Sequence, residues 1–233
     1  MMRLLTMLAV VISCQAIAAE SLTADEQRMA DWVDAHTADA IALLKETVDI
    51  PSGTLNQKGV RSVGDVMRRE LNAIGLETEW IEMPVEMNRA GHLFGRKDGS
   101  GKKFLLIGHL DTVFEIEDGS RPFTSDDDIA RGHGVSDMKS GNIVIVYALR
   151  ALREIGALDG IPISVAYIGD EEDSGSPTAV SRKDLIEAGK WADIALGFEE
   201  AVFLDDKDWA TVARRSSSGW TLTVEGKDRK SVV

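Results

Sequence analysis

Apolar residues recur at helical spacing through the first part of the chain. Thr23 and Glu26 form a capping-box pattern, and Met29, Trp32, Val33, Ile41, Leu44 and Val48 follow it, predicting one long helix that stops before Pro51. After "PSGTLNQKG" a second stripe, Val60, Val63, Met67, Leu71 and Ile74, predicts another helix, with Gly75 placed as its C-terminal cap. The pattern then shortens into runs. "LETEWIEM", "HLFGRK", "KFLLIGHLD" (103–111), "IPISVAYIGD" and "DIALGF" read as strands. "NIVIVYALRALREIGAL" is β-branched at first but helical in spacing afterward, and is expected to be a buried helix stopping at Gly156. A short helix is expected around residues 184–188. Apolar strands separated by helices predict an α/β fold: a mixed, largely parallel sheet with helices on both faces. No internal repeat and no low-complexity linker interrupts it.

The two ends depart from this pattern. "MMRLLTMLAVVISCQAIAAE" has an early Arg3, an apolar stretch at residues 4–12 and the triplet Ala16-Ile17-Ala18, which together predict a secretory signal peptide over residues 1–19, too short to span a membrane. Cys14, the sole cysteine, falls inside it, so a cleaved chain would have no thiol. "VISC" also resembles a bacterial lipobox that would lipidate Cys14, but the Ala-x-Ala site is preferred and an exported, periplasmic or secreted protein is expected. At the other end "WTLTVEG" alternates like a strand and then stops, so the chain is expected to be cut. Residues 228–233 are expected to be either extraneous, because GAT CGG AAG AGC GTC GTG TAG, which would encode them and a stop, resembles a common sequencing adapter, or a short native polar tail.

Charge narrows the function. Among 233 residues, 26 Lys and Arg face 39 Asp and Glu, a net charge of -13, which argues against nucleic acid or an anionic membrane as partner. Several of these acids gather where strands stop. "LLIGHLDTV" ends on His109 and Asp111, "VAYIGDEE" on Asp170, Glu171 and Glu172, and "IALGFEE" on Glu199 and Glu200. Open α/β sheets place their sites at the carboxyl ends of strands, so these groups are expected to converge, with Asp137 of "ARGHGVSDMKSGN" joining them from a loop. Crowded carboxylates repel one another and raise their own pKa values unless a cation sits among them. A divalent metal is the simplest candidate. Asp111, two residues from His109, can reach its imidazole, and the adjacent Glu171 and Glu172 would point different ways if extended.

"GHLDTV", "GHGVSDMKSGN", "GDEEDSGS" and "GFEEA", in this order and spacing, resemble the zinc-dependent exopeptidases of peptidase family M20, a group that includes glutamate carboxypeptidases, aminoacylases and acetylornithine deacetylases. The likeness runs through nearly all of the chain between the leader and Lys227. It implies that His109 and Glu199 bind one zinc, that Asp137 bridges two, that Glu172 binds the second, that Glu171 is the general base and that Asp111 orients His109. Glu199 is preferred to Glu200 because it follows the phenylalanine as the family pattern does. The implied reaction is hydrolysis of an amide bond in a peptide or N-acyl amino acid, releasing a C-terminal residue, often glutamate, or an acyl group. Peptidase and deacylase stay open. So does a protein of another class, an inactive metal-binding or interaction domain of the same fold, against which the intact Glu171 argues.

The resemblance also sets the expected organisation: catalytic-domain sequence over residues 20–215 and, from 216 to 233, the start of a lid domain through which the full-length protein would form a homodimer. A histidine that the family pattern supplies later for the second zinc is not in the sequence, so one largely complete metal site, weak turnover and poor solubility are expected of this chain. Each motif also has a plain reading taken alone. Asp137 could cap the helix after it, Asp111 could be a turn acid, and Glu171 to Asp173 could be a solvated loop. His36 and His92 are expected to be structural or surface residues and "SDDDI" a solvated turn; His133 lies in the loop leading to Asp137, a position the family pattern does not use as a ligand.

Overall fold

In the computed structural model, which describes residues 22–126, 129–213 and 222–223, the Thr23 cap is formed: Glu26 N–H donates to Thr23 Oγ1 at 3.3 Å and Thr23 N–H to the Glu26 carboxylate at 2.7 Å. The helix beyond it is not one rod. It divides into α1 (Ala24–Ala35) and α2 (Thr37–Val48) at His36, whose backbone leaves the helical region. The reason is local. The His36 imidazole turns back to the Trp32 carbonyl at 2.7 Å and stacks on the Trp32 ring, so the side chain holds a backbone group that a continuous helix would have used. The next helix, α3 (Gln57–Ile74), starts at Asn56, whose side chain accepts from Gly59 N–H, and ends at Gly75 with φ +95°, a conformation that suits a residue without Cβ.

The remaining elements follow in chain order: β1 (Glu77–Ile81), β2 (His92–Lys97), β3 (Phe104–His109), β4 (Thr124–Asp126), β5 (Ile129–Arg131), α4 (Ser140–Glu154), β6 (Ile163–Ile168), α5 (Thr178–Ser181), α6 (Lys183–Trp191), β7 (Ile194–Gly197), β8 (Val202–Leu204) and β9 (Lys207–Trp209). Five strands form one mixed sheet in the order β1-β2-β6-β3-β7. β1, β2 and β6 pair antiparallel, whereas β6-β3 and β3-β7 pair parallel. Strand alternation divides the core. Leu93, Leu106, Val165 and Tyr167 face α3 and α4 on one side, while Phe94, Leu105, Ala166 and Ile168 face α6 through Leu185 and Ala188 on the other. Helices therefore cover both faces, which is why β6 is buried at every position.

"SDDDI" is more than a turn, since its flanks pair as the short hairpin β4-β5. A further hairpin, β8-β9, turns on Asp205 and Asp206, both at positive φ as a two-residue hairpin turn requires. The expected leader with Cys14, the segment 214–221 and residues 224–233 lie outside the described residues. No described helix is long and apolar enough to cross a membrane.

Candidate metal centre

Parallel register brings the acids to one end of the sheet. His109, the last residue of β3, lies opposite Ile168, the last of β6, and Leu110 N–H donates to Ile168 O at 2.7 Å. On the other side Ile107 aligns with Gly197, and Phe198 N–H donates to Ile107 O at 3.2 Å. Asp111, Glu171, Glu172 and Glu199 consequently leave the sheet together. The turn at residues 135–139, just before α4, delivers Asp137 to the same place.

These side chains converge on His109, which is almost fully buried. Its Nε2 lies 2.9 Å from Asp137 Oδ1 and 3.6 Å from Glu199 Oε1, and ligand atoms of His109, Asp137 and Glu172 all fall within 4.8 Å of one another. Its Nδ1 lies 3.0 Å from the backbone carbonyl of Asp111 and 3.4 Å from Asp111 Oδ1. A carbonyl only accepts, so Nδ1 carries a proton and, in the neutral ring, Nε2 turns a lone pair toward the carboxylates. A lone pair facing anions is unfavourable unless a proton or a metal ion lies between them. Burial acts to lower the His109 pKa, but the hydrogen bond and charge of Asp111, with the charges of Glu199 and Glu171, outweigh it and hold the imidazolium up to about 9. Burial, and then repulsion from Asp137, push Glu172 up to about 7. The donor set and its electrostatics thus fit a divalent cation.

Asp111 also reaches the glutamate pair. Fully buried, it accepts Glu171 N–H at Oδ1 and Glu172 N–H at Oδ2, both at 3.1 Å, and the Thr54 hydroxyl at 2.7 Å. Burial raises its pKa, but His109 and these donors prevail and keep it ionised below the ordinary range. Asp137 does not cap α4, as neither the turn nor the helix has a side-chain cap bond. Asp170 stands apart from the acids it was grouped with, because its carboxylate turns inward to Ser181 and Arg182. Glu172 lies with His109 and Asp137 in one three-donor group.

Several supports had no signal in the sequence. Asn142 Nδ2 donates to the His109 carbonyl at 2.6 Å, tying α4 to the end of β3. Lys139, buried, donates from Nζ to the carbonyls of Thr47 and Ile50, both at 2.9 Å, and so fastens the Asp137 turn to the end of α2; burial lowers its pKa to about 8. Gly141 packs on the Phe198 carbonyl, where a Cβ would collide. His92 is buried between Ser181 O and Gly169 N–H, a structural role. His133 stacks on Phe114 and lines a cavity of about 430 Å³ with Val113, Asp118 and Arg121, none of them in the acidic cluster.

Residues 105–211 match peptidase family M20/M25/M40. Carboxypeptidase G2 of Pseudomonas sp. strain RS-16 is 35% identical over 172 residues, covering 72% of this chain and 40% of that protein. Among solved structures, human carnosine dipeptidase 1 superposes with a TM-score of 0.63 at 19% identity, covering 76% of this chain and 42% of that one. A family M20 metallo-carboxypeptidase from Sulfolobus solfataricus gives 0.58 at 18% identity, covering 70% and 38%. The chain thus spans about two fifths of the length of these relatives.

Proposed function

The chain carries a domain of peptidase family M20/M25/M40 over residues 105–211, and from that premise we propose that it supplies the metal-holding part of a hydrolase that cleaves an amide bond in a peptide or N-acyl amino acid. The observation that carries this reading is the meeting of His109, Asp137 and Glu172 within 4.8 Å, with Glu199 beside the same imidazole nitrogen. Imidazole with carboxylates suits zinc, so zinc is the proposed ion and His109, Asp137, Glu172 and Glu199 its proposed ligands, with one largely complete site in this chain and two zincs in the full-length protein. Such a cation would polarise the scissile carbonyl and acidify a neighbouring water.

The chain's own groups do the rest. Asp111 fixes the His109 tautomer and sets the backbone of the two glutamates. Glu171, exposed beside Glu172, takes the proton of the attacking water and passes it to the leaving nitrogen. The likeness to carboxypeptidase G2 supports release of a C-terminal amino acid, often glutamate, and deacylation of an N-acyl amino acid is the same chemistry on another substrate. The leader pattern supports export to the periplasm or medium, and the family likeness supports a homodimer of the full-length protein.

The test is Glu171→Gln in the full-length gene product, assayed on a panel of N-acyl amino acids and dipeptides. Turnover is expected to fall by about a hundred- to ten-thousand-fold while zinc content is kept. Unchanged hydrolysis would contradict the assignment.

A further inference from the structure

Asp170 sits between the buried strand β6 and the pair Glu171 and Glu172, and its side chain points away from both, fully buried. A carboxylate without water must be met by donors, and three meet it here: Gly175 N–H at 2.7 Å, the Ser181 hydroxyl at 2.6 Å, and the Arg182 guanidinium. The second guanidinium nitrogen reaches the Asp170 carbonyl at 2.9 Å and Ser174 Oγ at 2.7 Å. One arginine therefore grips the turn at residues 170 and 174, and the Gly175 bond closes it across the base. The clamp is itself anchored, because Ser181 O lies 2.8 Å from His92 Nε2 while His92 Nδ1 accepts Gly169 N–H at 3.1 Å. Arg89 holds Asp173 through its carbonyl and carboxylate, both at 2.7 Å. Between these fixed points Glu171 and Glu172 have their amides on Asp111.

We propose that Asp170 and Arg182 are positioning residues: they hold the turn so that Glu172 faces His109 and Asp137 while Glu171 stays beside it, free for proton transfer. The inference rests on the reading of Glu172 as a metal ligand. It assigns the first acid of "GDEE" a task opposite to that of its neighbours. Asp170 takes no part in the cation site and acts on it only through the turn. Arginine suits the task because its planar fork serves a carboxylate, a carbonyl and a hydroxyl at once, which a lysine ammonium cannot do in the same geometry.

The experiment measures zinc affinity of the metal-free chain by competition with a chromophoric chelator, together with the visible spectrum of the cobalt(II)-loaded protein, for wild type, Arg182→Met, Arg182→Lys, Asp170→Asn, Ser174→Ala and the benchmark Glu172→Gln. Arg182→Met and Asp170→Asn are expected to weaken zinc by about ten- to a hundredfold and to shift the cobalt spectrum in the sense of Glu172→Gln. Arg182→Lys should recover part of that loss. Ser174→Ala touches the clamp at an exposed residue and leaves the buried bonds intact, so it keeps the test open if a buried variant fails to fold; a loss of about threefold is expected. Wild-type affinity and spectrum in Arg182→Lys and Ser174→Ala, and in whichever buried variants fold, would overturn the inference. Absence of zinc binding in wild type would instead overturn the metal-site reading beneath it.

Discussion

The tautomer of His109 follows from one backbone contact, since the Asp111 carbonyl can only accept the Nδ1 proton. That places Nε2 among carboxylates, and the ionisation of the site takes its sign from there. His109 is held up to about 9 from an ordinary 6.5, and Glu172 to about 7 from 4.5. Both folded values lie above the unfolded ones. In the metal-free chain the stability these groups contribute is complete below their unfolded pKa values and is lost as pH rises, through about 4.5 to 7 for Glu172 and 6.5 to 9 for His109. The histidine share is on the order of 3 kcal/mol. Asp111 acts in the other direction, its share being lost only as pH falls below the ordinary carboxylate range. The thermal midpoint of the metal-free chain should therefore fall between about pH 5 and 9, and zinc should stabilise it more toward the alkaline end. A metal-free midpoint that rises over that interval would contradict these assignments. At this scale the sequence shows which residues carry charge at strand ends but not what holds them. Thr54 meets Asp111 across 57 positions and Lys139 meets Thr47 across 92, and no local pattern encodes either contact.

Elements convert separated motifs into one site. The apolar runs ending in His109, Glu172 and Glu199 are legible as strands because each is continuous and bounded by Gly or acid, and the sheet pairs their parent strands in parallel. The break at His36 was not legible, since it depends on an imidazole choosing its own helix carbonyl over solvent, and the inward turn of Asp170 depends on Arg182, twelve residues later. α4 matters as a wall. Its first turn holds the His109 carbonyl through Asn142 and packs Gly141 on the Phe198 carbonyl, one residue before Glu199. Gly141→Ala should force these apart, costing about 1 to 3 kcal/mol in chemical denaturation, and should weaken metal binding because Glu199 moves with Phe198. A variant with wild-type stability and zinc affinity would show that the contact does not set the position of Glu199.

Across the whole molecule, the covered and open sides differ. Helices close both faces of β6 and β3, while β7 forms an edge of the sheet where Leu196 is 43% exposed, and in the adjoining β8-β9 hairpin Phe203 is 67% and Trp209 53% exposed. Apolar side chains beside a sheet edge favour association. Sedimentation of this chain should show self-association that rises with concentration and weakens in Leu196→Lys with Phe203→Ser; a monomer at all concentrations would contradict that. The central claim, that the end of the sheet holds a cation, is tested most directly by counting zinc per chain after equilibrium dialysis, for wild type and Asp137→Asn side by side. About one zinc per wild-type chain, bound at least about tenfold more weakly by Asp137→Asn, is the predicted result. No zinc above the dialysis background, or equal binding by both proteins, would contradict it.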